Sequence, residues 1–230
     1  MRSLWIGAAC VCVCLIPFVC GLLWRKKIGA MRPIGFGMLG FFAFSAIIET
    51  VFVLFFLSAA GPVTRALNAS PIRLVMFSCL CAGFFEELGR YWIYQNGLQN
   101  CEGRLVPVGY AVGHFGAEIV ILTVYPLLSR APEVFGALQA SVVVYERLAA
   151  CAGHTALSVL VWDAFRRRDK KGLAAPILIH AVCDAPLGML RYGLLGERTA
   201  ELLFGLFVTA LCIFAVRTWR RLPAGAMISA

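Results

Sequence analysis

Seven apolar runs, separated by short polar stretches, are the feature of this sequence that most limits its fold. A transmembrane helix needs about 20 consecutive, mostly apolar residues to cross a hydrocarbon core of ~30 Å, and each run is long enough. The runs cover about residues 4–24, 34–59, 71–96, 105–128, 138–165, 172–190 and 199–216. Because no long polar segment lies between them, the sequence predicts an all-α bundle of about seven transmembrane helices. We expect residues 1–230 to form a single integral membrane domain.

The composition excludes most soluble classes of protein. The chain is 61% hydrophobic and only 14% charged, which is far more apolar than a soluble globular domain. Its net charge of +9 does not indicate nucleic acid, because the basic residues lie mostly in short loops beside apolar runs. The ten cysteines lie mostly within apolar runs, where a thiol behaves as a small hydrophobe. We therefore expect the lipid bilayer as a partner and no nucleic acid.

The basic residues predict the orientation of the helices. When the loops are assigned alternately to the two sides, one side receives thirteen Lys and Arg residues and the other six. The richer side includes Arg25-Lys26-Lys27 and the run from Arg166 to Lys171. Since cytoplasmic loops carry the excess of basic residues, we predict an outer N-terminus and a cytoplasmic C-terminus. The location that follows is the inner (plasma) membrane, crossed several times.

The third run carries charges that a membrane helix rarely holds. Glu86, Glu87 and Arg90 lie within it, and a charged side chain at mid-bilayer costs roughly 2.5–3.5 kcal/mol on insertion scales. On a helix, Arg90 lies about one turn beyond the acids, so it can neutralise one of them. The other carboxylate is left without a partner and is therefore a candidate functional residue. Glu49, in the second run, has no motif around it, and we expect it to be paired structurally.

All three histidines also lie in the middle of apolar runs. Depth can be estimated from the predicted cytoplasmic end of each helix, at 1.5 Å per residue. The estimates are about 15 Å for Glu86, about 14 Å for His114, about 16 Å for His154 and about 12 Å for His180. Four polar groups on four helices therefore share one level of the bilayer. A single membrane histidine is often only an interhelical hydrogen-bond donor, so the prediction depends on the whole set.

The spacing of these groups suits a metal-dependent site. His180 and Asp184 are four residues apart and share a helix face, as do His114 and Glu118. Imidazole and carboxylate are the usual protein ligands of zinc, which in catalytic sites keeps one position open for water. We therefore predict a zinc ion bound by His114, His154 and His180. A neighbouring carboxylate would act as general base on the water.

Four further charged residues are expected to support this site. Arg90 and Arg147 would hold carboxylates. Glu118 and Glu146 would orient a histidine or neutralise an arginine. Small residues beside the polar groups would let the helices approach closely, namely Gly83, Gly113, Gly116 and Gly153.

Taken in order, these motifs resemble those of a known family. The set is Glu86-Glu87-x-x-Arg90, Gly113-His114-x-Gly116-x-Glu118, Glu146-Arg147 with His154, and His180-x-x-x-Asp184. It resembles the YhfC family of intramembrane metalloproteases, which look like relatives of type II CAAX prenyl proteases, bacteriocin-processing proteins and PrsW-type proteases. The resemblance covers about residues 70–190, which we expect to be the catalytic core.

The resemblance implies roles for the motif residues. In CAAX-type relatives, a glutamate of the acidic pair and the next histidine activate a water, and a final His-Asn/Asp pair stabilises the oxyanion or binds metal. Carried over, Glu86 is the general base, Glu87 assists it or pairs with the motif arginine, and His114, His180 and Asp184 are catalytic. The acidic motif is one residue shorter than in prenyl proteases, which leaves open which glutamate faces the site. No His-Glu-x-x-His is present, so zincin chemistry does not transfer.

The function predicted from the sequence is that of an intramembrane peptidase. It would hydrolyse a peptide bond in a membrane-embedded or membrane-proximal polypeptide, with a water that is either bound to the metal or held by Glu86 and His114 without one. Three non-peptidase functions remain open at this point. They are a haem-binding electron carrier with two histidines as axial ligands, a proton-coupled transporter, and a catalytically silent immunity or scaffold protein.

Overall fold

A computed structural model describes residues 1–28, 30–59, 61–130 and 133–224, and these contain eight helices and no strand. The helices are α1 (Arg2–Lys27), α2 (Arg32–Ser58), α3 (Pro62–Asn68), α4 (Pro71–Asn96), α5 (Val106–Arg130), α6 (Ala137–Arg166), α7 (Ala174–Arg191) and α8 (Glu197–Arg221). Each of the seven predicted apolar runs coincides with a long helix to within a few residues. The short helix α3 is an addition that the sequence analysis did not predict.

Not every long helix is apolar enough to cross a membrane. Of the described helices, α1, α2, α5, α6 and α8 qualify alone, while α3 and α4 qualify only together, bent by 112°. The two long helices that fall short alone carry the acidic motifs. Every 18-residue stretch of α4 includes at least three charged residues, and α7 carries His180 and Asp184. The fold is therefore all-helical with five or six apolar spans, and a seventh span and the orientation remain predictions.

Proline and local widening explain where several helices begin and change geometry. Proline occupies the first turn of α2, α3, α4 and α5, where its missing N–H leaves no hydrogen bond unmade. Two π-helical stretches, Phe41–Glu49 in α2 and Ile119–Val124 in α5, interrupt the α-helical repeat. Such stretches are frequent at functional sites, and both contribute to the cavity described below.

Glycine determines how closely the motif-bearing helices approach one another. A Cβ at Gly83 of α4 would overlap the carbonyl oxygen of Ile177 on α7. A Cβ at Gly113 of α5 would likewise overlap the carbonyl oxygen of Ile34 on α2. Small residues permit this backbone-to-backbone packing in membranes. The close approach at Gly83 brings the acidic pair of α4 within reach of the histidine of α7.

An aromatic core fills one end of the bundle. Tyr94, Tyr110 and Trp162 are at most 1% exposed, and the ring of Tyr94 lies 5.1 Å from that of Tyr110 and 5.0 Å from that of Trp162. These residues lie beside the connections 97–105 and 167–173. We refer to this end of the bundle as the closed end.

Candidate functional site

Buried polar residues from α4, α5, α6 and α7 meet in one cluster inside the bundle. Glu86 Oε2 lies 3.0 Å from His114 Nε2 and 3.8 Å from His154 Nδ1. The ring centroids of His114 and His154 are 4.8 Å apart, and those of His154 and His180 are 5.5 Å apart. The structure thus brings together the four groups whose estimated depths agreed.

Glu87 lies behind this cluster and contacts two partners. Its carboxylate is fully buried, with Oε2 accepting a hydrogen bond from Arg90 Nη1 at 2.8 Å and Oε1 lying 2.7 Å from His180 Nδ1. The two adjacent glutamates therefore differ in position: Glu86 lines the cavity, whereas Glu87 balances Arg90 and orients His180. A carboxylate that holds one ring nitrogen leaves the other free to face a ligand. That second nitrogen, His180 Nε2, lies 3.3 Å from Asp184 Oδ2.

A second carboxylate holds the central histidine. Glu118 Oε1 accepts a hydrogen bond from Arg147 Nη1 at 2.8 Å, and Glu118 Oε2 lies 2.7 Å from His154 Nε2. Glu118 thus contacts both an arginine and a histidine, which are the two partners expected for it. Glu146 is not part of this cluster and instead lies beside Glu201 on α8. Consecutive helical residues point about 100° apart, so Glu146 cannot share the direction of Arg147.

The cluster forms one wall of a cavity of about 650 Å³. This volume falls within the range of about 300–1,000 Å³ that is usual for ligand sites. His114, Glu87 and Arg90 do not line the cavity and lie behind its wall. The predicted site residues that do line it are Glu86, Glu118, Arg147, His154, His180 and Asp184.

Glu49 is a cavity residue that the sequence motifs missed. It ends the π-helical stretch of α2, lines the cavity, and interacts by charge with Glu86, His180 and Asp184. We expected it to be paired structurally, but it makes no ion pair with any described basic residue. The signal was present in the sequence, because no basic residue lies within one helical turn of this acid. An unpaired acid in an apolar run is itself a functional-site hypothesis.

Two sets of donors among the described residues are grouped closely enough to hold a metal ion. One set is Glu86, His154 and His180, and the other is His114, Glu118 and His154. In each set the donor atoms lie within 4.8 Å of one another. The three histidines predicted as zinc ligands are therefore divided between two sets, because His154 lies between the other two.

The chemistry of the first set fits a zinc ion. Imidazole nitrogen and carboxylate oxygen are the donors that catalytic zinc takes, usually three from the protein. Glu86, His154 and His180 all line the cavity, so a substrate in the cavity could reach them. The second set includes His114, which does not line the cavity and whose Nδ1 is buried without a hydrogen-bond partner.

Comparison with known proteins gives one family and one relative. The sequence model of the family described as YhfC intramembrane metalloprotease matches residues 12–132 and 127–204. The "Uncharacterized membrane protein YhfC" of Bacillus subtilis (strain 168) is 23% identical in an alignment that covers 87% of this chain and 89% of the relative. No solved structure matches the chain. The apolar helices of the chain and its similarity to this family together identify it as a multi-pass membrane protein.

Proposed function

The chain belongs to the YhfC family, and from this premise we propose that it is an intramembrane peptidase that uses an activated water. The observation that carries the proposal is the contact of Glu86 with His114 at the wall of the cavity, beside His154 and His180. Ionisable groups are costly inside a membrane, and their convergence from four helices is what a reaction centre requires.

We propose zinc as the ion of this centre, with His154 and His180 as its protein ligands and Glu86 beside it, free of the ion, as the base. When bound, zinc supplies a Lewis acid that lowers the pKa of its water to about 7. Glu87 holds His180 Nδ1 and Glu118 holds His154 Nε2, so the ion would be taken by His180 Nε2 and His154 Nδ1. Carboxylates in this position fix the orientation of ligand rings and raise their basicity. The ion would displace the present neighbours of these nitrogens, Asp184 Oδ2 at 3.3 Å and Arg90 Nη2 at 3.4 Å.

Glu86 carries the proton in the proposed reaction. The water oxygen forms a bond to the peptide carbonyl carbon while its proton passes to Glu86. His114 Nε2 lies 3.0 Å from Glu86 Oε2 and holds the carboxylate from behind the wall. When the carbon–nitrogen bond breaks, Glu86 gives the proton to the leaving amine, so one water is consumed and one new N-terminus is formed. We assign Asp184, on the cavity side of His180, to accept a hydrogen bond from the substrate backbone.

Cleavage by matched carboxylate variants tests the peptidase. Glu102 lies outside the helices with its side chain 69% exposed, so Glu102→Gln removes the same charge as Glu86→Gln far from the cluster. In cells that express each protein equally, mass spectrometry of membrane-protein N-termini should find new termini with the wild type and Glu102→Gln. The number of new termini should fall by about 100-fold or more with Glu86→Gln, because this variant lacks the general base. Undiminished cleavage by Glu86→Gln would refute the proposal, and substrate flux without new termini would favour a transporter.

Elemental analysis of the purified proteins tests the ion separately. We expect about one zinc per chain in the wild type and in Glu102→Gln. His154→Ala and His180→Ala should lose it, since each removes one of its two histidine ligands. Zinc that persists in both histidine variants would show that the ligand set is wrong.

A further inference from the structure

The cavity extends from the cluster towards only one end of the bundle. Its wall includes Glu86 and Glu118 but none of the residues between them in sequence. It also includes Leu157 and His180 but none of the residues between those two. The segments left out, 87–117 and 158–179, contain the closed end with its connections 97–105 and 167–173. The lining therefore begins at the level of the cluster and continues away from the closed end.

Exposure rises along α7 in the same direction. The side chain of His180 is 5% exposed, that of Asp184 is 38% exposed, and Arg191 is exposed. All three line the cavity, and Arg191 is the last residue of α7. The cavity therefore reaches the end of a helix, and charged side chains along this route favour water within it.

Packed side chains block the opposite route. Tyr94, Tyr110 and Trp162 separate the cluster from the connections of the closed end and are at most 1% exposed. Ser158, about one turn beyond His154 towards that end, is 0% exposed. A polypeptide arriving from the closed end would have to displace a core packed as densely as an organic crystal.

The basic residues assign these two ends to the two sides of the membrane. Arg104 and the run from Arg166 to Lys171 lie at the closed end, which the positive-inside rule places in the cytoplasm. We infer that the cavity is entered from the extracytoplasmic side. Given the proposed peptidase, its substrate is then a polypeptide segment presented in or near the outer half of the membrane, and cytosolic chains are excluded.

A matched pair of serine variants tests this inference without any substrate. Ser78 lines the cavity, whereas Ser158 is fully buried towards the closed end, and each can be changed to cysteine at little cost in volume. Intact cells are treated with a cationic, membrane-impermeant methanethiosulfonate. Intact-protein mass then counts the labels beyond those on the wild type, which has ten cysteines of its own. Ser78→Cys should gain a label from outside at least about tenfold faster than Ser158→Cys, because thiol reactivity follows access.

The outcomes separate this inference from the proposed function. Labelling of Ser78→Cys only in inside-out vesicles would overturn the side of entry, and labelling of both variants or of neither would overturn a one-sided opening. If Ser158→Cys does not purify as a folded protein, Ala111→Cys, also 0% exposed, replaces it. Labelling requires no catalysis, so the two proposals can fail separately. One-sided labelling of a protein that cleaves nothing would refute only the peptidase. Cleavage by a protein that lacks one-sided labelling would refute only the direction of entry.

Discussion

The buried pair of Glu87 and Arg90 allows a quantitative prediction about charge inside the bundle. Both side chains are 0% exposed and their charged atoms are 2.8 Å apart. Removing one partner of a buried pair leaves an uncompensated charge, which typically costs about 3–5 kcal/mol of stability. Replacing both partners by neutral groups of similar volume is often close to neutral.

We therefore predict that Arg90→Met lowers the free energy of unfolding by about 3–5 kcal/mol. Glu87→Gln should have a similar effect, since glutamine still accepts a hydrogen bond from His180 but leaves Arg90 unbalanced. The double variant should recover most of the loss. In chains of roughly 150–250 residues, 1 kcal/mol shifts Tm by about 2–4 °C, so each single variant should melt on the order of 10 °C lower.

The measurement is thermal unfolding in detergent micelles, followed by tryptophan fluorescence. Arg167→Met is the matched control, because the Arg167–Asp163 pair has a similar length of 3.0 Å but Arg167 is 58% exposed. Its removal should cost at most about 1 kcal/mol. A double variant as unstable as the sum of the two single variants would refute the reasoning, because it would show that the loss does not come from an unbalanced charge.

Two further predictions concern packing and the cavity wall. Gly83→Leu should force α4 away from Ile177 and so eliminate bound zinc in elemental analysis of the purified protein, whereas Gly7→Leu, with nothing within 4 Å, should leave it. Retained zinc in Gly83→Leu would contradict the close packing. We expect Glu49, on the cavity wall, to accept a hydrogen bond from the substrate. Glu49→Gln should therefore lower kcat/KM by roughly 10- to 100-fold, the value of one hydrogen bond to a charged group, with zinc content unchanged. If Glu49→Gln turns over substrate as fast as Glu102→Gln, Glu49 does not bind substrate.

The helices and the level of the site could be predicted because both depend on one dimension of the chain. Length and hydropathy locate the helices, and a rise of 1.5 Å per residue converts position into depth. The sequence therefore predicts one level for Glu86, His114, His154 and His180, and the structure places them in one cluster. No comparable rule gives the rotation of a helix about its own axis.

The residues that were assigned incompletely are those whose role depends on helix rotation. Glu146 and Arg147 are adjacent in sequence, yet only Arg147 turns towards Glu118. The division of the three histidines into two donor sets likewise depends on which ring lies in the middle. Glu49 was missed for a different reason, since it belongs to no motif and is brought to the cavity by the π-helical stretch of α2.

The two helices that carry the acidic motifs are also the two that are least suited to cross a membrane alone. Within the described part of the chain, α4 and α7 form one of the two most extensive contacts between helices, closed at Gly83 by direct backbone packing. Across this contact, Glu87 of α4 meets His180 of α7, so part of the polar surface of each helix is covered by the other. A helix that is costly to insert alone becomes acceptable once its charged groups are paired with a neighbour. The packing that stabilises these two helices is thus the same packing that assembles the candidate site, and a variant that separates them should lose both together.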